Sequence, residues 1–259
     1  MSKVYRCMLF SSCVLAAPVS AASTWHVEAG VGVIALEQPW LNTAAASSLV
    51  PTVLASYDRW RLGFDDGNVV SYGLALPYQA ELRLGAGVRD DGYAADTLLG
   101  FRASTSRVFQ GYQTPDPEAT LSLRLEHPWF ILQWQHQVNE LANASVAKAA
   151  VVVPLWQNDQ PFLLRATVGP VWQNQHYLQR LYGITNAQQD LSVGRTVYTP
   201  KASWHWEAAL QASYALDPQW RLQAQWSYRQ LTTAVTDSPL VDKHRDGLAQ
   251  LALMLMYRF

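Results

Sequence analysis

Apolar and polar side chains trade places at every second residue through most of this chain, which fixes extended strands with two unlike faces as its building unit. From residue 220, Trp220, Leu222, Ala224, Trp226 and Tyr228 interleave with Arg221, Gln223, Gln225, Ser227 and Arg229. The same alternation runs from Trp204 to Leu216 and from Phe162 to Trp172. It recurs through Leu121, Leu123 and Leu125, and through Leu82, Leu84, Ala86 and Val88. After residue 22 no apolar run approaches the ~20 residues of a membrane helix, so a helical inner-membrane protein is excluded.

A water-soluble sandwich also alternates, so the solvent has to be read from other features. The strands are about ten residues long, which suits a tilted membrane strand better than the ~5 to 6 of globular sheets. The 11 Trp and 12 Tyr outnumber the 7 Phe, and amphipathic rings suit a boundary between apolar and polar media. They sit at the ends of the apolar faces, as Trp25, Trp60, Trp129, Trp172, Trp204, Tyr214, Trp220 and Tyr257 do, in the girdle pattern of a barrel. A lipid-facing sheet cannot leave its edge N–H and C=O groups unpaired, so the first and last strands must meet.

The expected fold is therefore an all-β antiparallel transmembrane β-barrel of about twelve strands, with ten as the alternative. The strands fall at 25–35, 49–58, 59–64, 69–76, 79–89, 118–127, 129–139, 145–155, 161–173, 204–216, 219–231 and 247–259. Another division merges 59–76 into one strand and recruits 97–109. With both termini periplasmic, the short turns at Asp58-Arg59, Pro77-Tyr78, His127-Pro128, Gln157 to Gln160 and Asp217-Pro218 lie on the periplasmic side. The long segments 36–48, 90–117, 174–203 and 232–246 lie outside.

Lys3 and Arg6 precede an apolar stretch over 7–19 and small residues at Ser20, Ala21 and Ala22, so residues 1–22 read as a cleaved secretory signal and 23–259 as the barrel. A lipoprotein site at Cys13 fits more loosely. Cys7 and Cys13 both lie inside that leader, which excludes disulfides and thiolate metal sites from the rest. The remainder carries 17 basic and 20 acidic residues, without the basic surface a nucleic-acid binder needs.

Several later motifs carry a resemblance. Trp172 and Tyr177 precede Tyr182-Gly183-Ile184-Thr185; Tyr214, Leu216, Trp220, Leu222, Tyr228 and Leu231 follow, then Ser238-Pro239-Leu240-Val241 and the terminal Tyr257-Arg258-Phe259. On these residues the chain resembles the MltA-interacting protein and OmpV family of outer-membrane proteins. In the first half, Gly87 through Gly100 matches only loosely and 102–117 has no counterpart. The resemblance implies a barrel in outer-membrane lipid that acts as a scaffold for a murein (peptidoglycan) hydrolase and a murein synthase. It implies no catalytic residue and no cofactor. An apolar strand ending at Phe259, with Tyr257 two positions earlier, is similar to the insertion signal of bacterial outer-membrane barrels.

Alternation turns Arg83, Arg124, Arg165, Arg221, Arg229 and Arg258 into the lumen, with Glu28, Glu81, Glu126 and Glu207. These charges form either a structural ion-pair network in a filled monomeric barrel or a charged constriction in a passive channel or porin for small solutes. His205 with Glu207, and His26 with Glu28, share strand faces, which keeps a lipid-modifying enzyme as a third reading, although alternation shows no nucleophile converging on them. Asp65-Asp66-Gly67-Asn68 and Asp90-Asp91-Gly92 read as turns, not as metal sites. Segment 174–203 has no clear period and is either an external cap or a lid folded into the lumen.

Overall fold

The computed structural model describes residues 24–65, 67–89, 91–93, 104–113, 116–138, 143–157 and 161–259. The leader at 1–22 lies outside the described residues.

Twelve strands follow in chain order: β1 Trp25–Leu36, β2 Ala46–Tyr57, β3 Trp60–Asp65, β4 Asn68–Ala75, β5 Glu81–Arg89, β6 Glu118–His127, β7 Phe130–Gln137, β8 Ser145–Gln157, β9 Phe162–Gln173, β10 Ser203–Ala215, β11 Trp220–Gln230 and β12 Gly247–Arg258. Each pairs antiparallel with its neighbour in the chain, and β1 also pairs with β12 from Glu28↔Arg258 to Leu36↔Gln250, closing the barrel. Closure removes both sheet edges, the condition that a lipid surround imposes on the backbone. Two short helices, α1 Gln175–Tyr182 and α2 Thr233–Thr236, lie in the loops after β9 and β11.

The strand boundaries follow the alternation to within about three residues, the usual error of a reading from one sequence. Segment 59–76 is two strands, β3 and β4, so the merged division is wrong. Of the segment it recruited, 97–103 lies outside the described residues, and Arg107–Phe109 forms a 3-10 turn, not a strand. The hairpin is short because Gly63, at φ 117, breaks the ladder between Leu62 and Asp65. In β8 the register shifts between Pro154 and Trp156, where proline has no N–H to give the ladder.

The outward row is apolar and exposed: Val31 and Val33 on β1, Leu49 and Val53 on β2, Leu121 and Leu123 on β6, Leu251 and Leu253 on β12. An exposed band of this extent, running around a closed barrel, is a lipid-facing surface. Rings crowd the short-turn rim, where Trp25 meets Tyr57 at 5.1 Å, Trp60 meets Tyr72 at 4.9 Å, and Tyr257 lies 4.9 Å from both Trp220 and Phe259. Trp172 and Trp204, 6.5 Å apart, mark the opposite rim. The largest buried apolar cluster is not inside the strand layer but among the long loops at that opposite end.

Candidate functional site

The inward row follows from the same parity. On β5 it holds Glu81, Arg83 and Arg89, opposite Glu126, Arg124 and Glu118 of β6. Arg83 is buried, bonds Glu81 and donates to Ser71 at 3.4 Å. Arg124, also buried, lies 2.6 Å from Glu126. Glu28 on β1 receives both Arg221 of β11 and Arg258 of β12, the latter at 3.3 Å. Further along the bore Glu207 of β10 meets Lys148 of β8 at 2.9 Å, Arg229 of β11 at 2.8 Å and His205 at 3.3 Å. Arg165 of β9 donates to the Gln211 amide oxygen at 2.6 Å, and Gln211 donates onward to Gln225 at 3.2 Å. Buried charge requires compensation; among the described residues a carboxylate supplies it to the other cations of these networks, whereas Arg165 meets only the Gln211 amide.

The described loops pack together over the loop end of the barrel. Trp40 from the β1–β2 loop, Tyr93 and Phe109 from the β5–β6 loop, α1 and Ile184 from the β9–β10 loop, and Leu240 and Val241 from the β11–β12 loop form one buried apolar cluster. Leu178, Ile184 and Leu240 are 0% exposed, so water is excluded from the centre of this cap. Tyr93 stacks on Phe109 at 3.8 Å, and Trp40 packs against both and against Tyr182. Asn174 starts α1 by accepting the Tyr177 N–H at 2.9 Å, the N-cap bond that an eight-residue helix needs.

Polar latches fasten the cap to the strands. Tyr177 donates its hydroxyl to Asp91 at 2.7 Å; Asp91 also pairs with Arg89, whose guanidinium lies 4.9 Å from the Tyr177 ring centre and donates to Gln135 at 2.7 Å. Arg180 of α1 lies 3.3 Å from Glu118. Burial alone would raise the Asp91 carboxyl, but Arg89 and the Tyr177 hydroxyl outweigh it and hold the group below the usual carboxylate range. Burial pushes the Tyr177 phenol up, and that of Tyr182 up to about 12, so both stay neutral and Tyr177 keeps its proton for Asp91.

The geometry brings His205 and Glu207 together, whereas His26 is exposed while Glu28 is buried. Asp66 and Asp90 lie outside the described residues, and Asp91 bonds side chains of the cap. Among the described residues no three His, Cys, Asp or Glu side chains gather as metal ligands. Sequence reasoning missed the latch of Arg89, Asp91 and Tyr177 and the role of Lys148. Lys148 has the same inward parity on β8 as the arginines on their strands; the latch carries no local signal, because Tyr177 and Asp91 are 86 residues apart. Segment 174–203 is an ordered cap containing α1.

The family model of the MltA-interacting protein MipA matches residues 20–259. The MltA-interacting proteins of Escherichia coli (strain K12) and Shigella flexneri are each 28% identical over 170 residues, which is 62% of this chain and 65% of theirs. The aligned part thus falls short of two thirds of these relatives' length. Among solved structures, the COG4313 outer membrane channel from Pseudomonas putida F1 aligns over 95% of this chain and 100% of its own at TM-score 0.38 and 11% identity. In-vitro folded OmpT, an outer membrane protein of Vibrio cholerae, aligns over 94% and 100% at TM-score 0.37 and 9% identity. The barrel assignment rests on the strand registers, not on these structural likenesses.

Proposed function

The chain belongs to the MltA-interacting protein MipA family, and on that premise we propose that this outer-membrane barrel is a closed, non-catalytic anchor that holds a murein hydrolase beneath the membrane, with a murein synthase as a further partner. The observation that carries the reading is the dry cap: four loops spend their apolar side chains on covering one mouth, which a passive channel would leave open. Pairing buried arginines with half-buried glutamates along the inner wall of β5 and β6 serves rigidity in the same way. A catalytic reading of His205 and Glu207 is disfavoured because Glu207 is already engaged by Lys148 and Arg229.

In this reading residues 1–22 are the cleaved signal, 23–259 form a monomeric barrel in outer-membrane lipid, and Tyr257 with Phe259 directs insertion. Phe259 suits that part: it is 74% exposed, and its N–H donates to Val27 at 3.0 Å, at the strand that closes the barrel. Partners meet the short turns, which offer less surface than the ~1,200 Å² of a standard stable interface, so the complexes are transient. Brief chemical cross-linking of the tagged barrel in intact envelopes, followed by mass spectrometry, is expected to recover a murein hydrolase. Recovery of none, with the barrel correctly inserted, contradicts the anchor.

A further inference from the structure

The inner wall divides into a filled side and an open side. On β5 and β6 Arg83, Ser122 and Arg124 are buried, whereas Gln211 and Ser213 on β10 and Gln223 and Gln225 on β11 are half-buried. The inner wall along β9 to β11 is therefore the more solvent-accessible side of the bore, a chamber whose loop end lies beneath the described cap residues.

Its charge is unbalanced. Lys148 and Arg229 share Glu207, Arg221 and Arg258 share Glu28, and Arg165 has no carboxylate among the described residues. Among the described residues the Nη2 of Arg165 is buried with no acceptor, as is the Nε of Arg221. An unanswered guanidinium N–H on a low-dielectric wall is costly, and the arrangement becomes favourable when an anion supplies the missing oxygens. The planar fork of Arg165 suits two oxygens of one carboxylate or phosphate, and the Gln225 amide, linked to it through Gln211, adds a hydrogen-bonding group without further charge.

We infer that the chamber is a binding site for a small anion bearing carboxylate or phosphate oxygens, admitted from the short-turn side, with Arg165 as its principal contact. The inference does not depend on the anchor reading, since it concerns the bore and not the turns.

Calorimetric titration of the full barrel, folded in detergent at fixed ionic strength, tests it with citrate and inorganic phosphate as separate probes and glucose as the neutral comparator. Saturable binding is expected for citrate, phosphate or both, the pattern telling carboxylate from phosphate chemistry, and none for glucose. Arg165→Gln is expected to weaken binding at least tenfold. Gln211→Glu, nearly the same shape, places the missing carboxylate against Arg165; it should abolish binding and raise the melting temperature. This second variant keeps the test decisive if Arg165→Gln fails to fold. Absence of saturable binding of either anion by the folded wild type overturns the site, as does wild-type affinity or a lowered melting temperature in Gln211→Glu.

Discussion

Asp91 and Tyr177 set how the cap answers pH and single substitutions. The folded Asp91 carboxyl lies below its unfolded value of about 3.9, so the stability it contributes is complete above about pH 4 and is lost as pH falls through the lower folded value. Tyr177 and Tyr182 act in the opposite sense: their folded values are raised, so their contribution is complete below about pH 10 and is lost as pH rises through them. Thermal melts across pH should show a plateau between these limits. Tyr177→Phe removes the donor to Asp91 and is expected to cost about 1–2 kcal/mol, measured as a lowered melting temperature at neutral pH, with a smaller alkaline loss. Alternation places Arg221, Arg258 and Glu28 on the lumenal face, but does not say that they pair. Glu28 lies 193 and 230 residues away from them, and only closure of the barrel brings it near.

At the level of elements, a run of alternating residues announces its strand, while a helix of eight residues does not announce itself. Tyr177, Leu178, Leu181 and Tyr182 make one apolar face of α1, yet the pattern covers barely two turns and is lost in a search for period across 174–203. Asn174 was the readable clue, a capping residue directly before that face. Asn174→Ala removes acceptors for the N–H groups of Tyr177 and Ser145, and a loss of about 1 kcal/mol or more is expected by thermal melting. The β4–β5 turn carries a different cost. Tyr78 and Gln79 both hold left-handed backbone, at φ 62 and 60, where Asn-Gly is preferred, and Tyr78 is 90% exposed. Replacing the pair by Asn-Gly should stabilise the barrel by about 1–2 kcal/mol in the same assay. If the exposed ring serves the periplasmic partner, the stabilised variant will also lose cross-linking to the hydrolase.

For the molecule as a whole, strand period, girdle and closure were legible because each follows from placing a sheet in hydrocarbon. Whether the bore was open was not legible, because that depends on side chains from several loops meeting over one mouth. Trp40, Phe109, Tyr182 and Leu240 come from four separate loops and show no common pattern until the twelve strands bring them together. The cap decides between an anchor and a channel, and conductance measures it directly. Purified barrel inserted in a planar lipid bilayer is expected to pass no steady current, whereas deletion of 175–182 should open defined conductance steps. Stable single-channel steps from the intact protein would contradict the closed barrel on which the account stands.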